Sequence, residues 1–161
     1  MARSLMLRPR RSSRLSVWLI PLLGAAPVSH ADDLAGVEDP NRARNNYMLN
    51  CQGCHGPNGA GNSLADVPKM QGFLGNFLKV DGGRAFLVQV PGSANTALPD
   101  GALAEVLNWM LPTMSGSEMP ANFTPYSPEE VSRLRQSPES DVIGRRAALI
   151  DDMRKRGILT D

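Results

Sequence analysis

The most regular hydrophobic pattern in the chain lies in its second half. Leu103, Val106, Leu107, Met110 and Leu111 fall at i, i+3, i+4, i+7 and i+8, the spacing of one face of an α-helix. It predicts an amphipathic helix opening at Asp100, as N-cap, and running to Leu111, with Trp109 beside the apolar face. Another helix is predicted to open at Asp39-Pro40, a capping residue followed by proline at the first helical position. It runs on through Ala43, Tyr47, Met48 and Leu49. Ala43 and Tyr47 are one turn apart and share a face. Ser127-Pro128-Glu129-Glu130 repeats the opening signal, with Ser127 and Glu130 at capping-box spacing. A last helix is predicted over 141–156, with Val142, Ile143, Ile150 and Met153 inward and Gly157 as its stop. The basic end of that helix, Arg154-Lys155-Arg156, suits the negative end of a helix dipole.

The texture from Gly56 to Asp100 is different. Glycine and proline interrupt it often enough to rule out long regular elements, leaving only a short helix around 83–88. Yet Val67, Met70, Phe73, Leu74, Phe77, Leu78 and Val80 are apolar. A loop-rich stretch with that content needs something to pack on.

The N-terminus carries a separate pattern. Arg3, Arg8, Arg10, Arg11 and Arg14 form a basic region, Val17 to Val28 an apolar run, and Ser29-His30-Ala31 a small-residue cleavage site. Residues 1–31 therefore read as a secretory signal peptide cut after Ala31. The apolar run is shorter than the roughly 20 residues a membrane span needs. Arg10-Arg11 touches on a twin-arginine signal, but the residues after it match poorly. Cleavage leaves 130 residues, the length of one domain. It removes five arginines and no acid, so a formal charge of +1 becomes about −4. A mature chain of that sign is a poor nucleic-acid binder, and no membrane span remains after cleavage.

Candidate chemistry sits in one place. The chain has two cysteines, and both stand in Cys51-Gln52-Gly53-Cys54-His55. C-x-x-C-H is the pattern of covalent haem c attachment. Each thiol adds across one porphyrin vinyl group, and His55 follows where an imidazole can coordinate the iron axially. The alternatives are weaker. A closed zinc site wants four ligands, and the only other histidine is His30, in the segment expected to be removed. A thioredoxin-like pair needs a strand before the motif, where the sequence reads as helix. A disulfide over two intervening residues closes too short a loop to stabilise much. Export places the motif in a compartment, a bacterial periplasm, where such attachment takes place.

A helix ending near an aromatic, then Cys51-x-x-Cys54-His55, then Gly-rich sequence with Pro68-x-x-x-Gly72, then an amphipathic helix with an aromatic, resembles a small monohaem cytochrome c of the class I type. The resemblance spans about residues 40–135. It implies an all-α fold wrapped on one covalent haem, with long Gly/Pro-rich loops and an early helix crossing a later one, Tyr47 and Trp109 meeting at the crossing. The expected organisation is a signal peptide at 1–31, a cytochrome domain at 32–136 and a helical extension at 137–161, outside the family pattern.

The resemblance also bears on the sixth iron ligand. Met119, in Gly116-Ser117-Glu118-Met119-Pro120 before a helix, is similar to the family's axial segment, and Pro120 holds its backbone extended. Met114 and Met110 are the alternatives, and an empty sixth site another. The family's helix order would put the ligand before the helix at 100–111, in residues 88–98, where no methionine stands. Met70, Phe73, Leu74, Phe77 and Trp109 are expected to keep water from the haem. The implied function is electron transport, with Cys51 and Cys54 as tethers and His55 and Met119 as axial ligands. The donor would be a periplasmic redox protein or dehydrogenase, the acceptor an oxidase or second cytochrome. An open-iron haem enzyme or ligand sensor, or a haem subunit of a larger dehydrogenase, stands as the alternative.

Overall fold

The structure, a computed structural model, describes residues 34–160. The expected signal segment lies outside the described residues. The described chain is helical and holds no strand beyond an isolated bridge between Asn62 and Val67. Its helices are α1 (Pro40–Asn50), α2 (Gln52–His55), α3 (Gly83–Gln89), α4 (Pro91–Ala94), α5 (Asp100–Ser115), α6 (Pro128–Leu134) and α7 (Val142–Lys155). A six-residue 3-10 turn, Leu74–Lys79, stands between α2 and α3. Among the described residues, no helix is long and apolar enough to cross a membrane. Residues 137–160 fall in the same compact unit as the rest of the described chain.

The fold is built around α1 crossing α5. Ala43 and Tyr47 are fully buried there, and the Tyr47 and Trp109 rings meet with centroids 5.6 Å apart. The start of α1 is fixed twice. Asp39 caps it, accepting from the amides of Asn41 at 2.9 Å and Arg42 at 3.1 Å. Glu105, buried on α5, accepts from the amides of Glu38 and Asp39 and from both ends of the Arg42 guanidinium. A buried carboxylate is tolerable only with that many donors around it.

On α5 the five residues of the apolar pattern are all buried. The helix begins one residue earlier than the sequence predicts. Pro99 holds the cap position and Asp100 is the first helical residue, because its carboxylate is taken by Arg135 at 2.8 Å. Arg135 also donates to the carbonyls of Ala94, Thr96 and Leu98, so one side chain of the later sequence fixes the loop before α5. The helix also runs past Pro112 to Ser115.

The capping box at Ser127 is half formed. Its hydroxyl accepts from the Glu130 amide at 3.2 Å, but the Glu130 carboxylate turns to Arg84 instead, with two contacts of 2.7 Å. Arg84 also donates to the carbonyls of Thr124 and Pro125 and lies over the Tyr126 ring, 3.9 Å from its centre. A charge-assisted fork outcompetes a single amide. Arg84 thereby pulls the Glu130 carboxyl below its ordinary value of 4.5. A depressed carboxylate stabilises the fold above its unfolded pKa and loses that contribution as pH falls through the folded value. Arg84→Met should therefore cost about 2 kcal/mol at pH 7. Its urea midpoint should also fall less steeply than the wild type's as the buffer goes below about pH 4.5.

In α7 the buried positions are Leu149 and Met153, with Val142 and Ile150 half-buried. Ile143, expected inward, is 85% exposed. The inward stripe is Val142, Arg146, Leu149 and Met153, spaced four, three and four, and Ile143 lies one position off it.

Candidate functional site

Tyr47 links α1 to the two cysteines. The Cys51 amide donates to the Tyr47 carbonyl at 2.8 Å, and the Tyr47 hydroxyl donates to the Gly56 carbonyl at 2.6 Å. The intervening residues make a single turn, in which the amides of Cys54 and His55 both donate to the Cys51 carbonyl. Cys51 and Cys54, three apart on that turn, face the same way. Gly56 ends the turn with φ +76°, a conformation only glycine adopts cheaply. The His55 carbonyl then accepts from the Gly61 amide at 3.0 Å, closing the following loop.

Cys51, Cys54 and His55 line one cavity of about 340 Å³, within the range of small-molecule and cofactor sites. Phe73, Leu74 and Phe77 supply a wall from the 3-10 turn and its approach, Phe86 and Leu87 one from α3, and Leu103, Val106, Leu107 and Met110 one from α5. Val90, Thr96 and Leu98 close the side before α5, and Val142 and Arg146 reach it from α7. A second, more polar cleft of about 240 Å³, lined by Arg44, Tyr47, Trp109 and Met114 among others, contains neither cysteine nor His55.

Both thiols are free, Cys51 half-buried and Cys54 exposed. Burial pushes the Cys51 thiol up, and Cys54 adds to that, the reverse of the lowered pKa of a redox-active pair. Burial pushes the His55 imidazole down, while the Pro68 carbonyl acts the other way. That carbonyl forms no well-aligned hydrogen bond with the ring, and His55 Nδ1 is buried without a partner. A neutral imidazole with an unpartnered buried nitrogen is an available metal ligand. Among the described residues, no three His, Cys, Asp or Glu side chains converge as a metal cluster.

Two thiols on one turn, an imidazole beside them and an aromatic and aliphatic enclosure fit a flat apolar ring with a metal at its centre. The residues present therefore fit a haem. Of the side chains expected to exclude water, Met70, Phe73, Leu74 and Phe77 line the cavity; Trp109 does not, being engaged with Tyr47. Met119 is not brought to the cavity lining. It has the extended backbone expected before Pro120, φ −64° and ψ 139°, and packs against the core behind the Leu74–Lys79 turn. Gly75 sets that packing: a Cβ there would stand 2.8 Å from the Glu118 carbonyl carbon and 3.0 Å from the Met119 nitrogen. Gly75→Ala should cost about 2 kcal/mol by forcing two backbones apart, read as a lower urea midpoint with an unchanged helical spectrum. Met114 sits on the far side of Gly59, its carbonyl bonded to the Gly72 amide, and lines the polar cleft. Met70 and Met110 are the methionines on the cavity wall.

Sequence reasoning passed over the walls from Val90 to Leu98 and from α7. The only sign of the latter is that Arg146 falls in the α7 stripe. Set against protein families, curated proteins and solved structures, the chain finds no match.

Proposed function

We propose that the chain is a periplasmic monohaem c-type cytochrome that carries single electrons between redox partners. The observation that carries this reading is the placement of Cys51, Cys54 and His55 together on the rim of a cavity whose other walls are aromatic and aliphatic. Cys51 and Cys54 hold the ring by two thioether bonds, and the single turn between them fixes their separation. His55 gives a nitrogen to the iron, and its burial favours the neutral, coordinating form. When bound, haem supplies an iron that cycles between two oxidation states without transforming a substrate. Phe73, Phe77, Phe86, Leu103 and Leu107 keep water from that iron, which favours its less charged state. Cys54 is exposed, so a ring attached there would have an edge that a transient partner could approach.

A second reading, an open sixth site that binds a small ligand, is favoured by one observation. Met119 lies off the cavity, and the wall between 90 and 98 carries neither methionine nor histidine. The optical spectrum of the oxidised protein separates the two. The carrier reading expects low-spin iron with a sulfur-to-iron charge-transfer band that disappears in one of Met70→Ala, Met110→Ala or Met119→Ala. High-spin iron that takes up cyanide or carbon monoxide in the wild type would instead establish the open site.

A further inference from the structure

Three arginines among the described residues are half-buried: Arg84, Arg135 and Arg146. Two of them are fully engaged. Arg84 has Glu130 and two carbonyls, and Arg135 has Asp100 and three carbonyls. Arg146 has neither a carboxylate nor a carbonyl partner among the described residues. Its guanidinium lies over the face of Phe73, 5.6 Å from the ring centre. A guanidinium carries five donors and stays charged, so burying it without an acceptor is unfavourable. The cost is visible in its pKa, which burial alone lowers.

Its position compounds the anomaly. Arg146 stands in the inward stripe of α7, between Val142 and Leu149, where a helix packed on a core carries apolar residues. Val142 and Arg146 both line the cavity that holds Cys51, Cys54 and His55. The other charged groups on that lining, Asp66 and Lys69, are exposed and flank Pro68 on the His55 side. The cavity thus has one half-buried cation, held by a different element from the one that carries the thiols.

We infer that Arg146 is the carboxylate-binding residue of this cavity, and that it pairs with a propionate side chain of the porphyrin. The inference rests on the covalent haem reading above. A porphyrin that gives its vinyl groups to Cys51 and Cys54 keeps two propionates at another part of its edge. A planar guanidinium binds a carboxylate through two parallel hydrogen bonds. The helix beyond residue 137 thereby has a role in the site: it supplies the counter-charge for the ring.

The test uses the haem-loaded, full-length mature chain in spectroelectrochemical titration, with four variants. Arg146→Gln removes a positive charge beside the ring, so the oxidised state gains stability and the midpoint potential falls. Arg146→Lys keeps the charge and restores most of the potential. Val142→Glu places a carboxylate one turn before Arg146, where it pairs with the guanidinium at i,i+4, and also lowers the potential. Arg145→Gln removes an exposed charge from the neighbouring position and leaves the potential at the wild-type value. If Arg146→Gln fails to fold, Val142→Glu against Arg145→Gln decides. The inference is overturned if the Arg146→Gln or Val142→Glu protein, stained for covalent haem and with wild-type spectrum, keeps the wild-type potential. It is also overturned if Arg145→Gln lowers the potential as much as Arg146→Gln. Absence of covalent haem from the wild type would remove the haem reading itself, a result distinguishable from either.

Discussion

The Cys51→Ala/Cys54→Ala double variant is expected to lose covalent haem completely, read as no haem stain on a denaturing gel. Each single variant should keep one thioether and stain more weakly. The argument is chemical and local. A thioether survives denaturation, whereas coordination by His55 does not, so stain on a denatured chain reports the two sulfurs alone. The substitutions themselves disturb little, since Cys54 is exposed and Cys51 half-buried. The haem-free protein should nevertheless melt below the loaded one, because Phe73, Phe77, Phe86, Leu103 and Leu107 are left facing a cavity of about 340 Å³. Covalent haem retained in the double variant would end the reading proposed for this chain.

Tyr47→Ala is expected to be the most damaging single substitution for stability, at about 4 kcal/mol. The side chain is fully buried, its ring packs on Trp109, and its hydroxyl holds the Gly56 carbonyl at 2.6 Å. Truncation opens a cavity in the α1–α5 crossing and frees the end of the cysteine turn at once. Tyr47→Phe separates the two effects. It keeps the ring contact and loses only the hydrogen bond, at about 1 kcal/mol. Urea unfolding of the two variants measures both. Equal midpoints would mean that the hydroxyl, rather than the packing, dominates at this position.

Which features could be read from the sequence follows from how local their causes are. Asp39-Pro40 opens α1, the pattern on α5 is buried throughout, and α7 occupies nearly the span predicted, because caps and periodicity act within a few residues. Errors arise where a distant partner intervenes. Arg135 takes Asp100 from the cap, and Arg84 takes Glu130 from its box. Ile143 is exposed because the inward stripe passes through an arginine, and no apolar count finds such a stripe. The site divides in the same way. Cys51, Cys54 and His55 are contiguous and legible. The far walls come from three elements scattered over more than fifty residues of sequence, from Phe86 to Arg146, and nothing local marks them. Met119 was placed by likeness to a sequence segment, and the close approach of Gly75 to Glu118 holds that segment away from the cavity lining.

The reach of α7 to the cavity has a consequence for the order in which the molecule is made. Synthesis delivers Arg146 about ninety residues after the cysteine turn. Until then the enclosure lacks one side, and the loop at 94–98 lacks the clasp that Arg135 provides. A chain interrupted at 136 would carry Cys51, Cys54 and His55, but not the helix that supplies Val142 and Arg146 to the cavity they line. On the reading proposed above, attachment at Cys51 and Cys54 and enclosure by α7 would be separable steps, the thiols being usable on an exported chain whose last helix has not yet docked.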